Sequence, residues 1–119
     1  MLTLPPSVRI YVCSRPTDMR KSFDALSSVV RGTMAQDPMT GHLFVFFNRS
    51  GDQVKVLFWD RNGYSIHYKR LEKGTFGLPQ TRPGPDGHVE VEAAELALIL
   101  EGIDLRGARR RPRWRAWAA

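Results

Sequence analysis

A chain of 119 residues fits one domain and has room for a single modest hydrophobic core. Its 42% hydrophobic content, with three Trp and six Phe, excludes disorder throughout. The single cysteine, Cys13, excludes an internal disulfide and a cysteine-based metal site. The formal charge of +6 falls in blocks: residues 1 to 73 carry 11 Lys or Arg against 6 acids, residues 74 to 105 hold Arg82 against six acids, and the tail from Arg106 has six Arg and no acid. Basic blocks concentrate polyanions, nucleic acid foremost, and equally suit an acidic protein partner.

The N-terminus lacks the charged and apolar regions of a secretory signal, and no run approaches the ~18 apolar residues of a membrane helix. A cytoplasmic protein without membrane association is expected. Val8 to Val12 is a short β-like run, closed at Ser14-Arg15-Pro16-Thr17 because Pro16 disfavours continuing a ladder. As an edge strand it could pair between chains, which leaves an oligomer open. Met19, Phe23, Leu26, Val29, Val30 and Met34 recur at helical spacing, with Thr17 or Asp18 to cap the start and Gly32 to weaken the end. Asp18 reads as a helix cap ahead of any functional role.

Asp37-Pro38-Met39-Thr40-Gly41 is a turn. His42 to Asn48 is nearly all apolar, Arg49 to Asp52 is turn chemistry, Gln53 to Asp60 is a second strand, and Asn62-Gly63 signals a hairpin into Tyr64 to Leu71. A two-residue turn at Asn62-Gly63 would set Trp59 against Ile66, Leu57 against Tyr68 and Lys55 against Arg70, with Val54, Val56 and Phe58 on the other face beside Ser65, His67, Lys69 and Leu71. Like charges directly opposed destabilise a sheet, so Lys55 against Arg70 would mark a solvent or ligand face. Pro79 to Gly87 reads as a surface loop. Val89 to Val91 reads as a short edge strand, and Ala93 to Leu105 as a second helix with Glu92 and Glu95 suiting its start and an end near Gly102 or Gly107. The expected fold is α+β: an antiparallel meander of three main strands plus one or two short strands, packed by two helices, over residues 1–105. An extended or disordered basic Arg/Trp tail follows over residues 106–119.

Catalytic patterns fail in turn. Asp37, Asp52 and Asp60 lie in or beside turns, where Asp is favoured structurally, rather than clustering as divalent-ion ligands. Pro85-Asp86 with Glu90 and Glu92 is loosely like a carboxylate nuclease pattern but lacks the Lys that would follow. His42, His67 and His88 show no metal spacing, and Tyr64 and Tyr68 read as strand tyrosines ahead of nucleophiles. No glycine-rich phosphate loop occurs, so no enzyme, metal or cofactor is expected.

Binding chemistry has more support. Lys55, Lys69 and Arg70 beside Trp59, Tyr64 and Tyr68 combine phosphate-neutralising charges with rings able to stack on exposed bases. The alternative, that Trp59 and Tyr68 belong to the core, ranks slightly ahead for those two rings, whereas Lys55, Arg70 and Lys73 read as surface residues. In the tail, Arg109, Arg110, Arg111 and Arg113 alternate with indole groups, suited to phosphate contact or to a solubilising end.

The span Asp37-Pro38-Met39-Thr40-Gly41-His42 through Asn48-Arg49, then Lys55 to Tyr64, then Tyr68-Lys69-Arg70-Leu71-Glu72-Lys73-Gly74-Thr75-Phe76, resembles the TnpB accessory proteins of the IS-66 family of bacterial insertion sequences. Thr17-Asp18-Met19-Arg20-Lys21-Ser22-Phe23 is similar to the same family, and the likeness runs over about residues 8 to 79. His67 and Gly77-Leu78 depart from the pattern. The resemblance implies an accessory protein of DNA transposition, encoded beside a larger transposase that carries the strand-transfer chemistry, and unrelated in mechanism to the RNA-guided nuclease of the same name. The expected partners are DNA and the transposase of the same element, with DNA met by Arg49, Lys55, Trp59, Tyr68, Lys69, Arg70, Lys73 and the tail arginines. The rival reading is an adaptor that contacts the transposase and leaves nucleic acid to it.

Overall fold

A computed structural model describes residues 5, 7–77 and 87–101, and the backbone of 103–104 and 109–110. Strand β1 (Ile10–Cys13) leads into helix α1 (Phe23–Gly32), which returns the chain to β2 (Leu43–Phe47), paired parallel to β1 with Ile10 opposite Leu43. A parallel neighbour needs such a crossover, and a helix is its usual form. β3 (Gln53–Asp60) and β4 (Gly63–Arg70) continue as an antiparallel meander. β5 (His88–Val91) returns antiparallel to the other side of β1 and leads into helix α2 (Ala93–Leu100). The sheet order is β4-β3-β2-β1-β5, and β6 (Ile103–Asp104) pairs separately with β7 (Arg109–Arg110).

Each face of the sheet carries one helix. Ile10, Val12, Leu43, Val45, Phe47, Val54 and Val56 point towards α2, where Leu96, Ile99 and Phe76 complete one core. The alternate residues Tyr11, Cys13, Phe44, Phe46 and Leu57 meet Leu26, Val30 and Met34 on the α1 side. The unbroken apolar run Leu43–Phe47 follows from this double burial, since a strand covered on both faces has no solvent side to make polar. Phe44 and Phe46 are fully buried, so truncating either to alanine would cost about 3–5 kcal/mol.

The three-stranded meander, the two short strands and both helices match the sequence reading of an α+β fold. The β1 strand does not: it lies inside the sheet between β2 and β5, so it offers no edge for pairing between chains. The first helix also starts later than its apolar spacing suggests. Thr17 N–H donates to Phe47 O at 2.8 Å, fixing the preceding segment against β2, and α1 begins after Ser22. Asp18 therefore closes a turn, its carboxylate accepting the Arg20 backbone N–H at 2.9 Å, rather than capping a helix. Met19 and Met34 lie outside α1 but still pack on its core. The second helix has the acidic start expected, a reciprocal capping box between Glu92 and Glu95, but ends at Leu100, so that Ile103 belongs to β6 rather than to a helix. The loop expected at 79–87, Gly87 apart, lies outside the described residues, as does the tail from 106 apart from the pairing of 109–110.

The hairpin turns one residue earlier than the Asn62-Gly63 signal. Asp60 faces Gly63, Trp59 faces Tyr64, and Lys55 faces Tyr68 in place of Arg70. The partner shifts by two, which leaves every side chain on its expected face. What changes is the pairing: an opposed pair of cations gives way to the Lys55 ammonium 4.8 Å from the Tyr68 ring centroid. Arg61, at φ 54°, takes a left-handed conformation at this turn.

Candidate nucleic-acid interface

β1, β2 and β4 run in one direction, so their carboxyl ends share one edge of the sheet with the start of β3. Between the β1–α1 loop and the β2–β3 turn lies an open groove of about 710 Å³, lined by Thr17, Asp18, Arg20, Asn48, Arg49, Gln53 and Tyr68 among others. The turn is held by its own residues. Asn48 Oδ1 accepts the backbone N–H groups of Asp52 at 3.1 Å and Gln53 at 3.0 Å, while Asn48 Nδ2 donates to Asp52 Oδ1 at 2.7 Å. Gly51 at φ 74° completes the bend, and its carbonyl accepts from Phe76 N–H at 2.8 Å. Arg49 and Ser50 therefore stand exposed on a fixed loop.

Tyr68 forms one wall. Its side is 51% exposed, its hydroxyl donates to Gln53 Oε1, and the Lys55 ammonium lies over its ring. Lys55 itself is only 8% exposed, and its Nζ donates to Lys21 O at 2.7 Å. Asp18 is clasped by Arg20, with Nη2 to Oδ2 at 2.7 Å; this hydrogen bonding holds its carboxyl down at about 2 and raises the Arg20 guanidinium.

Charge pairing divides the surface cations. Arg9 faces Glu90 at 3.7 Å, Arg20 faces Asp18 at 2.7 Å, Arg61 faces Asp60 at 3.9 Å and Arg70 faces Glu72 at 3.4 Å. Among the described residues, the exposed side chains of Arg15, Lys21, Arg31, Arg49 and Lys73 make no ion pair. All of these but Arg31 follow the carboxyl ends of β1, β2 or β4. The acids in the same loops are engaged: Asp18 with Arg20, Asp52 with Asn48 and Glu72 with Arg70, leaving Asp24 in the first turn of α1 unpaired.

This arrangement redistributes the residues singled out by sequence. Arg49, Tyr68, Arg70 and Lys73 lie at the carboxyl edge. Lys55 is buried under the segment leading into α1 instead of being a surface residue, because the Lys21 carbonyl and the Tyr68 ring receive its ammonium. Tyr68, ranked towards the core, is largely exposed. Lys69 Nζ donates to Leu100 O at 3.1 Å, a cation on the negative end of α2. Trp59 sits half-buried at the far end of β3, edge-on to Tyr64 at 5.0 Å, away from the groove. The side chains of Arg109, Arg110, Arg111 and Arg113 lie outside the described residues. Arg15, Arg20, Lys21, Asn48 and Gln53 were missed, since only the parallel pairing of β1 with β2 brings their loops together.

Among the described residues no group of three or more His, Cys, Asp or Glu could hold a metal ion, and no helix is long and apolar enough to cross a membrane. The model of the family described as IS66 Orf2 like protein matches residues 8–110, further than the motif likeness that ended near residue 79. Two relatives from Sinorhizobium fredii are similar along most of their length. Uncharacterized protein y4hO is 36% identical over 106 residues, covering 89% of this chain and 90% of its own. Uncharacterized protein y4jC is 31% identical over 105 residues, covering 88% of this chain and 87% of its own. No solved structure matches. With the match spanning sheet, helices and groove alike, the chain belongs to the IS66 Orf2-like family, a family of transposition accessory proteins and not a known enzyme family.

Proposed function

We propose that the chain binds DNA as an accessory protein of transposition in the cytoplasm and thereby assists a separate transposase in DNA recombination. The observation that carries this reading is the placement of the unpaired cations. Arg15, Lys21, Arg49 and Lys73 gather at one edge of the sheet, while Arg9 and Arg61 at the opposite edge are matched by acids. Unmatched cations on short, anchored loops suit phosphates, which reward their neutralisation through counterion release. Arg70 adds to this rim, because its exposed partner Glu72 at 3.4 Å holds it weakly, whereas Arg20 stays committed to Asp18. The tail arginines Arg109, Arg110, Arg111 and Arg113 extend the basic surface by composition alone. Lys55 and Lys69 are assigned to packing in this proposal, since each ammonium already has a carbonyl partner.

The test is a salt series of DNA binding by the intact chain. Affinity should fall steeply with added salt, by about 150-fold between 50 and 200 mM for four duplex phosphate contacts alone. Absent or salt-insensitive binding would sink the proposal and favour the adaptor, in which the same surface meets the transposase.

A further inference from the structure

We propose that the groove between the β1–α1 loop and the β2–β3 turn holds an unpaired nucleotide of single-stranded DNA, its base stacked on Tyr68 and its phosphate on Arg49. This rests on the DNA-binding reading above and names the form of DNA that the site selects. Four observations meet here. Among the described residues, Tyr68 is the most exposed of the large hydrophobic side chains, and it lines the groove. One face of its ring is occupied by the buried Lys55 ammonium, so the remaining face is the one open to a base. The ring is also held in place: its hydroxyl is bonded to Gln53, and Lys55 is anchored on the Lys21 carbonyl. A fixed ring stacks a base without first losing conformational freedom.

The β2–β3 turn supplies the charge. Arg49 stands free on a turn latched by Asn48, and the Asp18 carboxylate in the same groove is neutralised by Arg20. A phosphate entering beside Arg49 therefore meets no uncompensated acid within the groove lining. The volume of about 710 Å³ falls within the ~300–1,000 Å³ of small-molecule sites, so a single nucleotide fits. A base pair within a duplex also keeps both faces stacked, and only an unpaired base can offer one to Tyr68. Stacking on Tyr68 does not itself distinguish bases, since every base has a π-face.

The experiment compares a fluorescently labelled single strand with the duplex of the same sequence, using the full chain and anisotropy at fixed salt. Tyr68→Leu should weaken single-strand binding roughly 5- to 150-fold, with duplex binding changed less than about twofold, and Tyr68→Phe, which keeps the π-face but loses the bond to Gln53, should retain most of the single-strand binding. Arg49→Gln should weaken both. A second measurement on the wild-type chain guards against misfolding of the leucine variant. A 2-aminopurine flanked by thymines in the strand should lose fluorescence on binding as it stacks. If salt-dependent DNA binding persists while Tyr68→Leu leaves the single-strand to duplex ratio unchanged, or the 2-aminopurine signal does not fall, the groove proposal is overturned and the DNA-binding reading stands. If neither DNA form binds, that reading falls and the groove proposal with it.

Discussion

Lys55 separates a packing role from a phosphate role. Replacing it by Met keeps a stem of similar length in the space beside Tyr68 but removes the ammonium that bonds Lys21 O at 2.7 Å and lies 4.8 Å from the ring. The lost charge-assisted hydrogen bond is worth about 1.5–3 kcal/mol, and the cation–π contact about 0.5–1 kcal/mol. Relief from burying an ammonium that is only 8% exposed offsets part of that sum. The net expectation is a loss of about 2 kcal/mol, or roughly 6–12 °C in Tm for a domain of this size. Thermal unfolding followed by circular dichroism reads the stability, and a salt titration of DNA binding reads the charge. Lys55→Met should lower Tm and leave the slope of log K against log salt unaltered. A Tm within about 2 °C of wild type, with a slope shallower by about 0.9, would place Lys55 on a phosphate and refute the packing role.

Two further outcomes test the frame of the groove. Asp18 is held at about 2, below its unfolded value of 3.8, so its contribution to stability is present above that unfolded value and is lost as pH falls through the folded one. Carboxyl chemical shifts should show Asp18 titrating near 2, and Asp18→Asn should remove this part of the acid dependence; a midpoint at 3.8 would mean the Arg20 clasp does not form in solution. Gly87 sits at φ +71° where a Cβ would lie 2.1 Å from Thr33 O, so Gly87→Ala should destabilise by about 2–4 kcal/mol in urea unfolding. A change below about 0.5 kcal/mol would show that Gly87 does not lie against Thr33 at the end of α1.

Periodicity made the elements legible, and burial explains why. The apolar stripe Leu26, Val29 and Val30 follows from one packed helix face, and the strand expected over Gln53 to Asp60 is β3. Sheet order was not legible, because Ile10–Cys13 looks the same at an edge or in the centre until its partners are known. The hairpin differs from its sequence signal by a single residue, with Arg61 in the turn at φ 54° and Lys55 paired with Tyr68, a pairing that the Asn62-Gly63 signal does not show. At the site, Arg49, Tyr68 and Lys73 could be chosen from charge and aromaticity. Lys55 could not be placed correctly, since composition does not reveal a carbonyl supplied by a residue 34 positions away. Arg15 and Lys21 escaped notice for the same reason: their relevance depends on the parallel alignment of β1 and β2.

The most direct measurement compares salt slopes for DNA binding by the intact wild-type chain and a variant with Arg15, Lys21, Arg49 and Lys73 all changed to Gln. Because the tail arginines remain in both, the difference isolates the sheet edge. The slope should become shallower by about 3.6 on duplex DNA, the value for four phosphate contacts, with the fold unchanged by circular dichroism. Equal slopes in the two proteins would contradict DNA binding by this edge.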